Sequence, residues 1–143
     1  SEFMLTPSET TDEMGSDGKP GLYDRVLELK KKNPNLKVML AVGGWMMGPQ
    51  PFKTLTESSY RQTLFVFNAI EYLRKKGFDG LDICWEFPRG KEDKERYTAL
   101  LKEIRETFDG EASGKKPRLL LSAAVPASYE AVNSGYDVPE VSK

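Results

Sequence analysis

The chain has 143 residues, carries 21 basic and 22 acidic side chains for a net charge of −1, and contains no histidine and one cysteine. A chain of this length has room for one domain, since it buries roughly two thirds of its unfolded surface on folding. The balanced charge argues against binding of nucleic acid. Without histidine or a second cysteine, a Ser-His-Asp or Cys-His pair, a structural zinc cluster and an internal disulfide are excluded. Acid-base chemistry must therefore use carboxylates, lysines or tyrosines, and we expect no metal and no cofactor.

The beginning of the chain is rich in threonine, serine, glycine and proline and holds few apolar side chains. This composition predicts a tail or surface loop over residues 1–21 and a folded domain over residues 22–143. The three residues ahead of Met4 are typical of a tag remnant. No apolar run approaches the roughly 20 residues of a membrane span, and no basic region precedes an apolar stretch as in a signal peptide. We therefore expect no membrane partner.

The first predicted elements of the domain are a helix and a buried strand. Apolar side chains from Leu22 to Leu29 fall on one helical face, and Asn33-Pro34-Asn35 ends that helix. The nearly continuous apolar run from Lys37 to Val42 predicts a strand that is covered on both faces. This strand ends in Gly43-Gly44-Trp45, where the two glycines indicate a close backbone approach.

Two further helices and two further strands follow along the chain. Ser59 opens a helix that runs to Lys76, with Gln62 at the spacing of a capping box. A strand from Phe78 to Phe87 follows. The next helix has one apolar face, formed by Tyr97, Leu100, Leu101, Ile104 and Phe108. The last predicted strand runs from Arg118 to Val125.

The order of these elements predicts the fold class. Strands begin near residues 37, 80 and 118, about 40 residues apart, which is the length of a strand-loop-helix-loop unit. We therefore predict an α/β fold with a parallel sheet. It is either a small open sheet or a set of parallel β/α units from an incomplete TIM (β/α)8 barrel, with about three of eight strands. Open strand edges on both sides of such a sheet also predict self-association.

Three carboxylates lie on or just after the second predicted strand: Asp79, Asp82 and Glu86. Side chains on a strand alternate between faces, so Asp82, Cys84 and Glu86 share one face at intervals of about 6–7 Å. Crowded carboxylates raise one another's pKa, and Glu86, nearest the carboxyl end of the strand, is the natural general acid. The alternative is that these charges cap helices or face water.

The amino acids of this strand indicate a protein family more specifically than the spacing of the carboxylates does. The segment Asp79-Gly80-Leu81-Asp82-Ile83-Cys84-Trp85-Glu86-Phe87-Pro88 resembles DGxDxDWEYP, the signature strand of the glycoside hydrolase family 18 chitinases. The segments from Leu40 to Trp45 and from Leu119 to Pro126 are similar to the family strands before and after it. The resemblance extends from about Leu22 to Ser142 and is greatest to the secreted chitinases of animals.

This resemblance implies a TIM-barrel enzyme that hydrolyses β-1,4-linked N-acetylglucosamine polymers, with chitin or a chitooligosaccharide as its partner. Glu86 would protonate the glycosidic oxygen, the substrate's own acetamido group would attack the anomeric carbon, and Asp82 would support the charges beneath. The family has a further Asp where this chain has Cys84. A thiol is mostly neutral near pH 7 and cannot supply the negative charge that a cationic intermediate requires.

The resemblance also implies a set of substrate-binding residues. Trp45 follows Gly43 and Gly44 at a strand end and is similar to a family cleft tryptophan, so we favour sugar stacking over packing for it. Phe87 takes the place of the motif's tyrosine and lacks its hydroxyl. Trp85 points toward the helices, and we expect a structural role for it. The family completes its site with a tyrosine and a tryptophan on later strands.

Three hypotheses about function remain open from the sequence. The first is a segment of a family 18 chitinase that keeps its general acid but is impaired by Cys84 and by missing strands. The second is a chitinase-like lectin that binds chitooligosaccharides without turnover. The third is an isolated fragment with no activity. The family resemblance implies secretion into an oxidising compartment, with which one cysteine is compatible.

Overall fold

Three parallel strands form the centre of the molecule. The computed structural model describes residues 3–16, 18–112 and 116–143. The strands are β1 (Met39–Gly43), β2 (Gly80–Cys84) and β3 (Leu120–Ala123). Their order in the sheet is β1-β2-β3, and both pairs are parallel. The register places Ala41, Asp82 and Ser122 side by side. The predicted class is confirmed: these are parallel β/α units.

Helices connect the strands and cover one face of the sheet. They are α1 (Thr10–Glu13), α2 (Leu22–Leu27), α3 (Leu29–Lys32), α4 (Gln50–Thr56), α5 (Ser59–Lys76), α6 (Gly90–Glu111), α7 (Tyr129–Gly135) and α8 (Val138–Val141). The two long helices α5 and α6 agree with the sequence pattern. The short helices α4, α7 and α8 were not predicted, because segments of four to seven residues are too short to show a helical period. No helix in the described ranges is long and apolar enough to span a membrane.

The first part of the chain differs from the predicted surface loop. Leu5 is 8% exposed and belongs to the apolar core, and the backbone carbonyl of Phe3 accepts a hydrogen bond from Asn68 at 3.3 Å. The Arg61 guanidinium lies 5.5 Å from the centre of the Phe3 ring. The sequence pattern predicted a loop here because threonine and proline surround Phe3 and Leu5, and two isolated apolar residues show no helical or strand period. Residues 1 and 2 of the predicted tag remnant lie outside the described residues.

Helix α5 has the predicted bounds but not the predicted cap. Its N-cap residue is Ser58, and no side-chain capping bond forms there. The Gln62 side chain instead donates to the backbone carbonyl of Thr56 at the end of α4, a neighbour that the sequence pattern did not include. Gly77, at a φ of 91°, ends the helix in the left-handed conformation that glycine adopts at low cost.

The two faces of the sheet have different surroundings. On β2, the side chains of Leu81 and Ile83 are fully buried beneath the helices, and Trp85 just beyond the strand is buried with them. On the opposite face, the neighbouring positions Ala41 and Ser122 are exposed and Asp82 between them is half-buried. Packing thus anchors one face of β2 and leaves the other face available for chemistry.

Candidate functional site

The uncovered face of the sheet carries a short chain of hydrogen bonds. The Cys84 thiol donates to one carboxylate oxygen of Asp82 at 2.9 Å, and the Ser122 hydroxyl donates to the other at 2.5 Å. The strand register places Ser122 beside Asp82. Sequence analysis grouped Asp82 with Cys84 but missed Ser122, because the partner across a parallel strand pair depends on a register that the sequence does not display.

The thiol of Cys84 is neutral in this setting. Burial raises its pKa most, and the hydrogen bond to Asp82 and the negative charges of Asp82 and Glu86 raise it further, against a smaller lowering by the backbone of Ala124. The resulting pKa is about 11. The side chain at the position of the family's Asp is therefore an uncharged hydrogen-bond donor to its neighbouring carboxylate at neutral pH.

Glu86 lies two residues beyond the end of β2 and is half-buried. The sequence placed Glu86 on the strand itself, whereas the strand ends at Cys84; the negative charge of Glu86 still contributes to raising the pKa of the Cys84 thiol. Within residues 3–16, 18–112 and 116–143, no hydrogen bond or ion pair engages the Glu86 carboxylate. This carboxyl group is free to interact with a ligand at the carboxyl end of the sheet, where parallel α/β folds place their active sites.

Asp79 belongs to a different part of the molecule. Its carboxylate accepts a hydrogen bond from the Val38 backbone N–H at 2.7 Å and pairs with Lys30 at 2.8 Å. Burial acts to raise the pKa of Asp79, but these two donors outweigh it and hold the pKa below its usual range. Asp79 thus joins the start of β1 to α3 and contributes to the fold, whereas Asp82 and Glu86 remain near the uncovered face.

The double glycine after β1 allows a close contact with β2. Gly43 has a φ of 106°, and a Cβ atom there would overlap the Cys84 carbonyl and the Phe52 ring. The next residue, Gly44, donates its N–H to the same Cys84 carbonyl at 2.8 Å. Only a residue without a side chain fits the first position, which agrees with the predicted backbone approach. Directly after this contact comes Trp45, which is 76% exposed.

A stack of aromatic rings supports β2 from behind the site. Trp85 is fully buried and packs parallel to Phe52, with ring centres 5.4 Å apart. Its other neighbour is Tyr97, edge to face at 6.0 Å, and Tyr97 in turn contacts Tyr136 at 5.0 Å. Phe87 is half-buried, next to Glu86. The sequence identified Tyr97 only as a core position of a helix, and it offered no signal for Tyr136.

The described ranges contain no group of three or more His, Cys, Asp or Glu side chains that could hold a metal ion. Carboxylates at such a position can transfer protons and stabilise positive charge.

Parallel β/α units with carboxylates at the carboxyl ends of the strands are the arrangement found in barrel glycosidases. Comparison with known proteins assigns the family. Residues 3–143 match the model of the Glycosyl hydrolases family 18, and the chain belongs to this family. The matched range includes most of the segment that we predicted as a loop. The fold of the family is a TIM barrel, of which the chain provides a three-stranded part.

Similar proteins include chitinases and a binding protein. Chitotriosidase-1 of Mus musculus is 46% identical over 145 residues, which cover 98% of this chain and 30% of that protein. The structure of an immunomodulatory active chitinase from Trichuris suis matches with a TM-score of 0.89 and 35% identity over 98% of this chain and 36% of that one. Human YKL-39, described as a pseudo-chitinase with retained chitooligosaccharide binding, matches with a TM-score of 0.79 and 35% identity over 84% of this chain and 33% of that one. The chain thus spans about a third of the length of these relatives.

Proposed function

We propose that the protein formed with this chain is a chitinase-type glycosidase that hydrolyses β-1,4-linked N-acetylglucosamine polymers, with Glu86 as the general acid. The observation that carries this proposal is the unpaired Glu86 carboxyl just beyond the carboxyl end of β2, whereas Asp82, earlier on the same strand, is already held by two donors. Glu86 donates its proton to the glycosidic oxygen. The acetamido group of the substrate acts as the nucleophile, as the family resemblance implies, so no second enzyme carboxylate has to attack.

Cys84 slows this reaction. The intermediate formed by acetamido attack is positively charged, and the neutral thiol places no charge beside it. Loss of a positioned electrostatic partner lowers the rate by about 10²–10⁴-fold. Asp82, which accepts the hydrogen bond of this thiol at 2.9 Å, is the nearest negative charge to it on this face.

A second candidate function is binding of chitooligosaccharides without turnover. It is favoured by the same neutral thiol, and by the likeness to YKL-39, described as a pseudo-chitinase that retains this binding. In both functions the sugar contacts Trp45, whose exposed ring offers a stacking face. Gly43, Gly44 and Phe87 complete the proposed substrate-binding set. Secretion, implied by the family, belongs to the same proposal.

Sugar binding is tested first, on this chain. Light scattering establishes whether the sample is monodisperse, which also tests self-association through open strand edges. Tryptophan fluorescence then follows a titration with the N-acetylglucosamine tetramer. We expect saturable change from Trp45 and none from Trp85, which is fully buried, so Trp45→Phe abolishes the signal and Trp85→Phe preserves it. A saturable fluorescence change that persists in Trp45→Phe would contradict the assigned sugar-binding site.

Turnover separates the two functions and is measured in the protein that contains this chain. Release of a fluorogenic group from a chitooligosaccharide reports hydrolysis. We expect low activity that Cys84→Asp raises by about 10²-fold or more and that Glu86→Gln abolishes. Asp79→Asn, a carboxyl change on the same strand but away from the site, is the control and leaves turnover within a few fold. Equal activity of all variants would refute the role of Glu86, and binding without any turnover in Cys84→Asp would favour the lectin.

A further inference from the structure

The Asp82 carboxylate accepts one hydrogen bond on each of its two oxygens, and the two donors differ in strength. The Ser122 hydroxyl donates to one oxygen at 2.5 Å, and the Cys84 thiol donates to the other at 2.9 Å. A hydroxyl bonded to an ionised carboxylate is a short and strong donor, whereas a thiol is a weak donor. Ser122 is therefore the neighbour that fixes the orientation of this carboxylate.

The hydroxyl proton of Ser122 has no strong competing acceptor. Within the described residues, the other acceptor near this hydroxyl is the thioether sulfur of Met39, at 4.0 Å. Thioether sulfur accepts hydrogen bonds weakly, and at this distance it does not compete with a carboxylate. The hydroxyl proton is thus available to Asp82.

The sheet backbone holds Ser122 beside Asp82. Leu120 and Ala124, two residues before and two residues after Ser122, donate their N–H groups to backbone carbonyls in and just before β2, at 2.9 and 3.1 Å. These two bonds lie on either side of the pair that Ser122 forms with Asp82 in the register of the sheet. The position of the hydroxyl is therefore set by a strand ladder and not by a loop.

The other neighbour of Asp82 in the sheet offers no donor. The register places Ala41 of β1 beside Asp82, and a methyl group cannot form a hydrogen bond. Among the residues that the structure describes, no lysine or arginine pairs with Asp82. The orientation of the Asp82 carboxylate thus depends on Ser122, with a weaker contribution from Cys84.

We propose that Ser122 is a positioning residue for Asp82: its hydroxyl holds the carboxylate in one orientation on the uncovered face of the sheet, where the negative charge supports the cationic intermediate. This inference rests on the proposed hydrolysis and on the role of Asp82 in it. Because the Cys84 thiol is neutral, Asp82 is the nearest negative charge to the thiol position on this face. Its orientation therefore matters more in this chain than it would beside a second carboxylate.

The first test uses this chain and no sugar. The rate at which iodoacetamide alkylates Cys84 near pH 8 reports on Asp82, because a carboxylate held close to the sulfur disfavours the reactive thiolate. We expect Ser122→Ala to release the carboxylate from this position and to raise the alkylation rate about twofold or more. In an Asp82→Asn background, Ser122→Ala has no effect, since no charge is left to position. An unchanged or lower rate in Ser122→Ala would overturn the inference.

Three control variants separate the hydroxyl from the strand that carries it. Ser122→Thr keeps a hydroxyl at the same position and retains the wild-type alkylation rate. Leu120→Ala shortens an exposed side chain on the same face of β3 and also retains that rate. Ala41→Ser, added to Ser122→Ala, supplies a hydroxyl from the opposite side of Asp82 and returns the rate toward that of the wild type. An equal rise of the rate in Leu120→Ala would mean that disturbance of β3 is the cause, and the inference would be wrong.

The second test measures turnover in the protein that contains this chain. A positioned charge acts on the cationic intermediate and not on the bound substrate, so we expect Ser122→Ala to lower kcat about tenfold and to leave KM within about twofold. Ser122→Thr retains most of kcat. A loss that appears only in KM would contradict a positioning role. Absence of turnover together with the expected alkylation rates would refute the proposed hydrolysis, whereas normal turnover with unchanged alkylation in Ser122→Ala would refute only the role of Ser122.

Discussion

The strongest physical prediction concerns the reactivity of Cys84, the one cysteine of the chain. Its pKa of about 11, against an ordinary 9.0, lowers the thiolate population at about pH 8 by about 100-fold. A more basic thiolate is a better nucleophile, which recovers nearly tenfold. We therefore expect iodoacetamide to alkylate Cys84 about tenfold more slowly than an ordinary thiol at about pH 8. The alkylation rate of Cys84 should keep rising from about pH 8 to about pH 10, a range over which the rate of an ordinary thiol levels off.

The causes of this behaviour are tested by removing one charge. Asp82→Asn eliminates the negative charge 2.9 Å from the sulfur, so the thiolate forms at lower pH and the rate near pH 8 increases. The increase is partial, because burial, the largest cause, remains. Asp79→Asn is the control and leaves the rate unchanged, since that carboxylate faces Lys30. The assigned causes of the raised Cys84 pKa would be refuted if the alkylation rate of the wild type levelled off near pH 9, or if Asp82→Asn left that rate unchanged.

Three further predictions concern stability, each measured by urea unfolding. Asp79→Asn lowers the free energy of unfolding at neutral pH. Because the pKa of Asp79 is lowered in the folded protein, the difference in unfolding free energy between wild type and variant shrinks as the pH falls through that pKa. An equal difference at pH 7 and pH 3 would contradict this prediction. Phe52→Ala costs about 3–5 kcal/mol, since Phe52 is 2% exposed and stacked, whereas Phe67→Ala, at 61% exposure, stays within about 0.5 kcal/mol. Gly43→Ala is more damaging than Gly44→Ala, because both have positive φ but only the first would create a steric overlap; equal losses would show that conformation alone matters.

The sheet and the two long helices were predictable because their signals are local. The apolar run before Gly43 and the alternation after Gly80 each specify a strand by composition alone. Apolar side chains three and four residues apart then specify α5 and α6. A parallel order follows from the alternation of strands with helices, since a right-handed crossover through a helix returns the chain in the same direction. The strands and the two long helices thus depend on residues that are close together in the chain, so a local sequence pattern is enough to predict them.

The arrangement around the site depends on contacts between distant residues and was only partly predictable. Asp79, Asp82 and Glu86 look alike in sequence, yet Lys30 draws the first of them into the fold. The hydrogen bond from Ser122 to Asp82 spans 40 positions of the chain. Such pairings follow from strand register and helix placement, and no local pattern in the sequence reports them.

The division of β2 into two faces explains how the site can change while the fold persists. Ile83 and Trp85 supply the buried area on the helix side, with Trp85 held between Phe52 and Tyr97. Cys84 lies between them in sequence but on the other face, where it needs only to satisfy its neighbour Asp82. A substitution at this position therefore alters charge and chemistry at little cost in packing. The proposed sugar contact at Trp45 involves neither the thiol nor the aromatic stack, so we expect substitutions at Trp45 and at Cys84 to affect binding and turnover separately.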